Sequence, residues 1–176
     1  MSGHNKWSKI KRQKEKTDSQ KSKIFGKMVR LITVEAKKAG GNTASPGLKS
    51  AVEKAKSMNV PNDNIERVVK KFKEGGVEME SVVYEAYGPG GCAIVIETLT
   101  DNRNRATQEI KTILSKHSFE LAGMGSATWA FSHNPGEDWI ATTIVPLSEE
   151  DREKLGTLID ELEENDDVQD VYTNAE

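Results

Sequence analysis

The chain has 176 residues, of which 30% are charged and 35% hydrophobic, and it holds one cysteine, Cys92. That length fits one or two small domains with modest cores, and a lone cysteine excludes an intrachain disulfide, so a reducing, cytoplasmic setting is expected. No run approaches the ~20 apolar residues of a membrane span, and the basic N-terminus lacks the apolar segment of a signal peptide.

The net charge of −3 conceals a partition. Residues 1–76 carry 19 Lys+Arg against 7 Asp+Glu, a net +12, whereas residues 77–176 carry the other 6 basic residues against 21 acidic ones, a net −15. The basic half suits a polyanion, and the acidic half repels one except at local basic spots.

The first thirty residues are the most basic. Lys6, Lys9, Lys11, Arg12, Lys14, Lys16, Lys21, Lys23, Lys27 and Arg30 face only Glu15 and Asp18. From Lys11 to Lys23 no residue is hydrophobic, so burial cannot offset the ordering entropy, and the stretch reads as a solvated arm or an exposed helix. A solubilising tail is the bland reading; this density of charge favours contact with a phosphate backbone. Trp7 and Ile10 lie one helical turn apart and form either a small packing patch or, through Trp7, a stacking surface for an exposed base, and His4 serves in either.

Helical spacing begins with Ile24, Phe25, Met28, Leu31 and Ile32, and Gly40-Gly41 ends that helix. Leu48, Ala51, Val52 and Ala55 mark a second helix. Ile65, Val68, Val69 and Phe72 mark a third, with Pro61-Asn62-Asp63 as its start and Gly75-Gly76 as its stop. Residues 1–76 therefore read as a basic three-helix domain with an N-terminal arm.

The period then changes. "SVVYEAYGPGGCAIVIETLT" reads as strand, turn, strand, with Gly88-Pro89-Gly90-Gly91 as a hairpin turn; a phosphate loop would need a different glycine spacing between strand and helix. "DNRNRATQEIKTILSKH" places Ile110, Ile113, Leu114 and His117 on one helical face. "SATWAFS" and "WIATTIVP" read as strands, and Leu155, Leu158, Ile159 and Leu162 mark a last helix begun by a Ser148–Asp151 capping box, before a closing strand in "DVQDVYTN". Residues 77–176 thus predict an α+β domain. With the first strand set aside, it is a ferredoxin-like βαββαβ sandwich with helices on one face of an antiparallel sheet.

Arg103 and Arg105 flank a strand-to-helix junction whose helix N-terminus favours anions; an arginine pair satisfied by acidic neighbours is the competing reading, and spacing alone does not separate them. His4, His117 and His133 are scattered, no pair has zinc spacing, and no nucleophile–base pair stands at recognisable spacing, so neither metal, cofactor nor catalysis is expected. An enzyme acting on a nucleotide or acyl substrate through the GPGG and DNRNR loops is kept as the alternative from another class.

The segments "SGHNKWSKIK", "KSKIFGKMVR", "LKSAVEKAKSMNVPNDNIERVVKK", "YEAYGPGGCAIVIETLTDNRNR" and "LIDELEENDDVQDVYTN" together closely resemble the YebC family. That family has been described as probable transcriptional regulators and includes a mitochondrial translational activator. The resemblance implies a cytoplasmic, non-enzymatic factor that binds ribosomal RNA and assists peptide-bond formation in proline-rich stretches, with DNA as the rival polymer, no membrane partner and a monomer favoured. With the charge pattern read above, nucleic-acid contacts are expected at His4, Lys6, Trp7, Lys9, Lys11, Arg12, Lys14, Lys23, Lys27 and Arg30, with Arg103 and Arg105 as a second contact. Family members are longer, with a further domain inserted between the segments matching "SATWAFS" and "ATTIVP"; here "HNPGEDW", residues 133–139, takes its place, so that domain is expected to be missing.

Overall fold

The computed structural model describes residues 18–40, 42–73, 78–135 and 137–176. They fall into two compact units: one contains Lys16–Val82 with Leu99–Arg103, the other Val83–Thr98 and Asn104–Glu176.

The first unit is built on three helices, α1 (Asp18–Lys38), α2 (Pro46–Ser57) and α3 (Asn62–Lys73). Met28, Ile32 and Ala36 recur every fourth residue on α1 and are buried against Leu48, Ala51 and Ala55 of α2 and Ile65 of α3. Complete burial of Ile32 contributes about 1.5–3 kcal/mol. Pro46 stands in the first turn of α2, where its missing N–H costs nothing. After α2, Asn59 takes a left-handed φ of 60° and the Val60 amide donates back to the Ala55 carbonyl over 3.0 Å, which turns the chain into α3. The helix stop read at Gly40-Gly41 holds in its described part, because α1 ends at Lys38 and Gly40 has a φ of 57°. The stop read at Gly75-Gly76 lies outside the described residues.

Most of an antiparallel sheet lies in the second unit, in the order β1-β2-β5, from β1 (Glu80–Tyr87), β2 (Ala93–Thr100) and β5 (Val168–Thr173). β2 is central, and all of it except Glu97 is buried, as a strand covered on both faces requires. The β1–β2 turn is the expected hairpin: Gly90 and Gly91 have φ of 64° and 76°, and the Gly88 amide donates to the Cys92 carbonyl. Val95 pairs with Tyr172 and Ile96 with Val171, so alternate residues face opposite sides. Helices α4 (Arg103–Lys116) and α5 (Glu149–Glu164) bury Ala106, Ile110 and Leu114, and Leu155, Leu158, Ile159 and Leu162. Ser148 caps α5 by accepting the Asp151 amide over 3.1 Å.

The α+β class, with helices first and an antiparallel sheet after them, is as expected. Strand membership differs. The two middle segments are mostly irregular: "SATWAFS" forms a 3₁₀ turn, Thr128–Ala130, and a two-residue strand, β3 (Phe131–Ser132), while "WIATTIVP" supplies only β4 (Ile140–Ala141). β3 and β4 pair with each other, not with the sheet. They pack with Ala93, Val95 and Tyr172, on the side of the sheet away from Ile96 and Val171. The place beside β2 is taken instead by β1. Among the described residues no helix is long and apolar enough to cross a membrane.

Candidate nucleic-acid interface

Of the basic positions singled out in the sequence, His4, Lys6, Trp7, Lys9, Lys11, Arg12 and Lys14 lie outside the described residues. Lys23, Lys27 and Arg30 lie on α1 at i, i+4 and i+7, which is one helical face, and each is half-buried. Their long apolar stems can cover helix surface while the charged ends reach solvent. The apolar set Met28 and Ile32 turns to the other side, into the three-helix core.

The folded unit adds cations outside the basic arm, on the solvent faces where the helical spacing places its lysines. Lys49, Lys54 and Lys56 on α2 and Arg67, Lys70 and Lys71 on α3 are all exposed. They occupy the positions left over once Leu48, Ala51, Ala55 and Ile65 are buried, so the complement of the apolar pattern marks them. Lys37 and Lys38 are engaged within the unit, with Glu78 at 3.4 Å and Glu35 at 2.7 Å.

At the end of β2, Asp101, Asn102, Arg103, Asn104 and Arg105 are exposed, and the Asn102 amide donates to Thr100 Oγ1 over 3.0 Å. Arg105 is held: its Nη2 donates to both carboxylate oxygens of Asp167, at 3.2 and 2.9 Å, and Nε lies 3.8 Å from Glu109. The Asp167 side chain is 2% exposed and its own amide donates to Asn165 Oδ1, so the guanidinium neutralises a buried carboxylate. Arg103 and Arg105 stand two apart on α4 and do not share a face, so the structure does not bring them together as a pair.

Other titratable groups are tied to structure. Burial pushes the Cys92 thiol up. Glu161 accepts from Lys116 and contacts His117, both at 2.7 Å, which holds its carboxyl below the usual range. His133 stacks on Trp139 with ring centroids 4.1 Å apart. Among the described residues no group of three His, Cys, Asp or Glu is arranged to hold a metal ion.

Sequence reasoning also missed Glu85. It is 5% exposed, yet Oε1 accepts the Gly125 amide at 2.7 Å, and Oε2 accepts those of Ala127 and Thr128 at 2.7 and 2.9 Å. Burial pushes its carboxyl up, and these donors outweigh that and bring it below the usual value. No local signal marks this contact, since donors and acceptor are 40 or more residues apart.

Residues 5–75 match the family described as TACO1/YebC protein N-terminal domain, and residues 79–135 and 136–175 match TACO1/YebC second and third domain. A probable transcriptional regulatory protein of Thermoanaerobacter pseudethanolicus is 39% identical over 240 aligned positions, covering 100% of this chain and 97% of that protein. Another of that description from Trichlorobacter lovleyi is 48% identical over 134 positions, 74% of this chain and 54% of that protein. A crystal structure of a conserved hypothetical protein, Aq1575, from Aquifex aeolicus superposes with a TM-score of 0.81 at 30% identity, over 90% of this chain and 91% of that one.

Proposed function

Because this chain belongs to the TACO1/YebC family, we propose that it is a nucleic-acid-binding regulatory protein that works without catalysis in the cytoplasm, by binding ribosomal RNA and assisting translation of difficult, proline-rich sequences. The observation that carries the reading is where the charge sits. Lys49, Lys54, Lys56, Arg67, Lys70 and Lys71 are exposed on helices whose apolar residues are all turned inward, in a half of the chain with a net +12 before residue 77. Such a surface neutralises phosphates without reading bases, as RNA recognised by shape requires. The N-terminal arm extends the same charge, with His4 and Trp7 shaping the contact and Arg103 adding to it.

A second reading rests on the names of the relatives, which are called probable transcriptional regulatory proteins. DNA offers the same phosphates, so charge alone does not choose between the polymers.

The test is a salt titration of binding, with RNA and DNA of matched length, beside co-sedimentation with ribosomes and crosslink mapping. On single strands the log–log slope is expected to be about −0.7 per neutralised phosphate, and changing the six exposed cations to Gln should flatten it. Ribosome co-sedimentation that survives in the wild type and fails in that variant supports the RNA reading. Tighter binding to duplex DNA than to RNA at matched salt, with no ribosome association, sinks it in favour of the second.

A further inference from the structure

The acidic unit exposes an aromatic pair that contact with phosphate does not use. Tyr87, at the end of β1, is 38% exposed, and Trp129, in the 3₁₀ turn, is 60% exposed. Trp129 Nε1 donates to Tyr87 Oη over 3.0 Å, and the Tyr87 hydroxyl donates in turn to the Ser126 carbonyl. The polar tips are therefore satisfied within the protein, and ring surface is left to solvent. Met124, in the turn that precedes the 3₁₀ turn, is 96% exposed.

This exposure is built. Gly125, next to Met124, has a φ of 80°, a conformation that a side chain would strain. Beneath the turn, Glu85 takes the amides of Gly125, Ala127 and Thr128. A buried carboxylate is costly unless fully bonded, and here its bonds fix a turn whose own large side chains face water. Such a rigid arrangement suits a ligand that meets it with little loss of freedom.

We propose that Tyr87 and Trp129 form a stacking platform for an unpaired nucleobase of single-stranded RNA. The proposal rests on the RNA-binding reading above and adds the ligand's chemistry: what the α+β unit takes is a base, not a phosphate. Size favours a base over a protein partner. Aromatic side chains of this kind present roughly 150–250 Å² each when bare, so at 38% and 60% exposure the pair offers on the order of 150–250 Å². A stable protein interface needs about 800 Å² per partner, whereas one or two bases need far less. A base also requires no cation at the platform, which reconciles an acidic unit with a nucleic-acid ligand, since every base has a π-face.

The test uses the full chain and two fluorescent probes, an unstructured single-stranded RNA of roughly 16 nucleotides and a duplex of the same length. Trp129→Ala should weaken single-strand binding roughly 5- to 150-fold and leave duplex binding unchanged. Trp129→Phe should retain most of the affinity, and both variants should melt at the wild-type temperature, because the ring is exposed. Unchanged single-strand binding in Trp129→Ala, while the six-cation variant weakens both probes, overturns the platform and leaves the RNA reading standing. Equal loss on both probes also overturns it. A wild-type chain that binds neither probe overturns both ideas. If sedimentation shows Trp129→Ala dissolving a self-association with RNA binding intact, the patch is a protein surface and the platform is wrong.

Discussion

Glu85 and Glu97 project from the same side of one sheet, and their surroundings set them in opposite directions. For Glu97, burial raises the carboxyl pKa, the indole N–H of Trp139 lowers it from 2.8 Å, and Asp170 directly across the ladder raises it again, leaving it above the usual range. Three backbone amides leave Glu85 below that range. The linkage therefore has opposite signs. Glu85 contributes stability that is present above the unfolded carboxylate pKa of about 4.3 and is lost as pH falls through the lower folded value. Glu97 works against stability as pH rises from about 4.3 through its raised folded value. Glu85→Gln should thus destabilise the chain at neutral pH by about 1–3 kcal/mol, since an amide N–H₂ replaces one acceptor of buried donors, and it should flatten the acid limb of the stability curve. Glu97→Gln keeps an acceptor for Trp139 and removes a half-buried charge whose ionised form is disfavoured, so its melting temperature at pH 7 should equal or exceed that of the wild type. Melts of both variants from pH 3 to 8 check this, and a loss in Glu97→Gln matching that in Glu85→Gln would falsify the assignment.

At the scale of elements, what the sequence makes legible is what local spacing controls. The three N-terminal helices are read from Met28, Ile32, Leu48, Ala51, Ala55 and Ile65 because those residues both set the helical period and form the core. "SATWAFS" misleads for a physical reason. Ala127, Trp129 and Phe131 alternate as a strand would, but the amides of Gly125, Ala127 and Thr128 are taken by the side chain of Glu85, so they are not free for a ladder. The following segment is diverted too. The amides of Thr142 and Thr143 donate to the Ala130 carbonyl, and that of Val145 to Asn174. Arg105 is the same lesson at the candidate interface: its place at a strand–helix junction is legible, and its partner Asp167, 62 residues on, is not. The short hairpin is held by side chains more than by its two strand residues. Trp139 packs edge-on to Phe131 with centroids 6.2 Å apart, stacks on His133 and donates to Glu97. Trp139→Ala should therefore cost about 3 kcal/mol, the low end for a large aromatic because the ring is half-buried, whereas His133→Ala should cost about 0.5–1.5 kcal/mol. Denaturant unfolding of the two variants checks the order, and an equal effect would mean that the stack, not the packing, holds the hairpin.

At the scale of the whole molecule, the family match breaks between residues 135 and 136, inside the join from β3 to β4. We propose that the break marks the place of a domain that relatives carry and this chain replaces with residues 133–139. The join makes its own polar contacts: Asn134 Nδ2 donates to Glu137 at 2.8 Å, and the Tyr172 hydroxyl donates to Asp138 at 3.2 Å. The anchors on either side of the break at 135/136, Phe131 and Trp139, pack against the sheet's cluster, so the hairpin does not depend on the join being short. Loop-closure entropy then sets the penalty for lengthening it. A flexible glycine–serine segment of ~60 residues placed between Pro135 and Gly136 lengthens the loop by about three doublings, which costs about 2 kcal/mol. The expected outcome is a cooperative fold with stability lowered by no more than that, retained burial of Trp139 by fluorescence, and unchanged binding of duplex RNA, since the exposed cations of α2 and α3 are untouched. A folded domain with adjacent ends, inserted at the same point, should cost less than the flexible segment because it closes its own loop. A loss well above 2 kcal/mol, with Trp139 exposed, would mean that the contacts of residues 133–139 are integral to the fold and that the site cannot have carried a domain in this chain's present sequence.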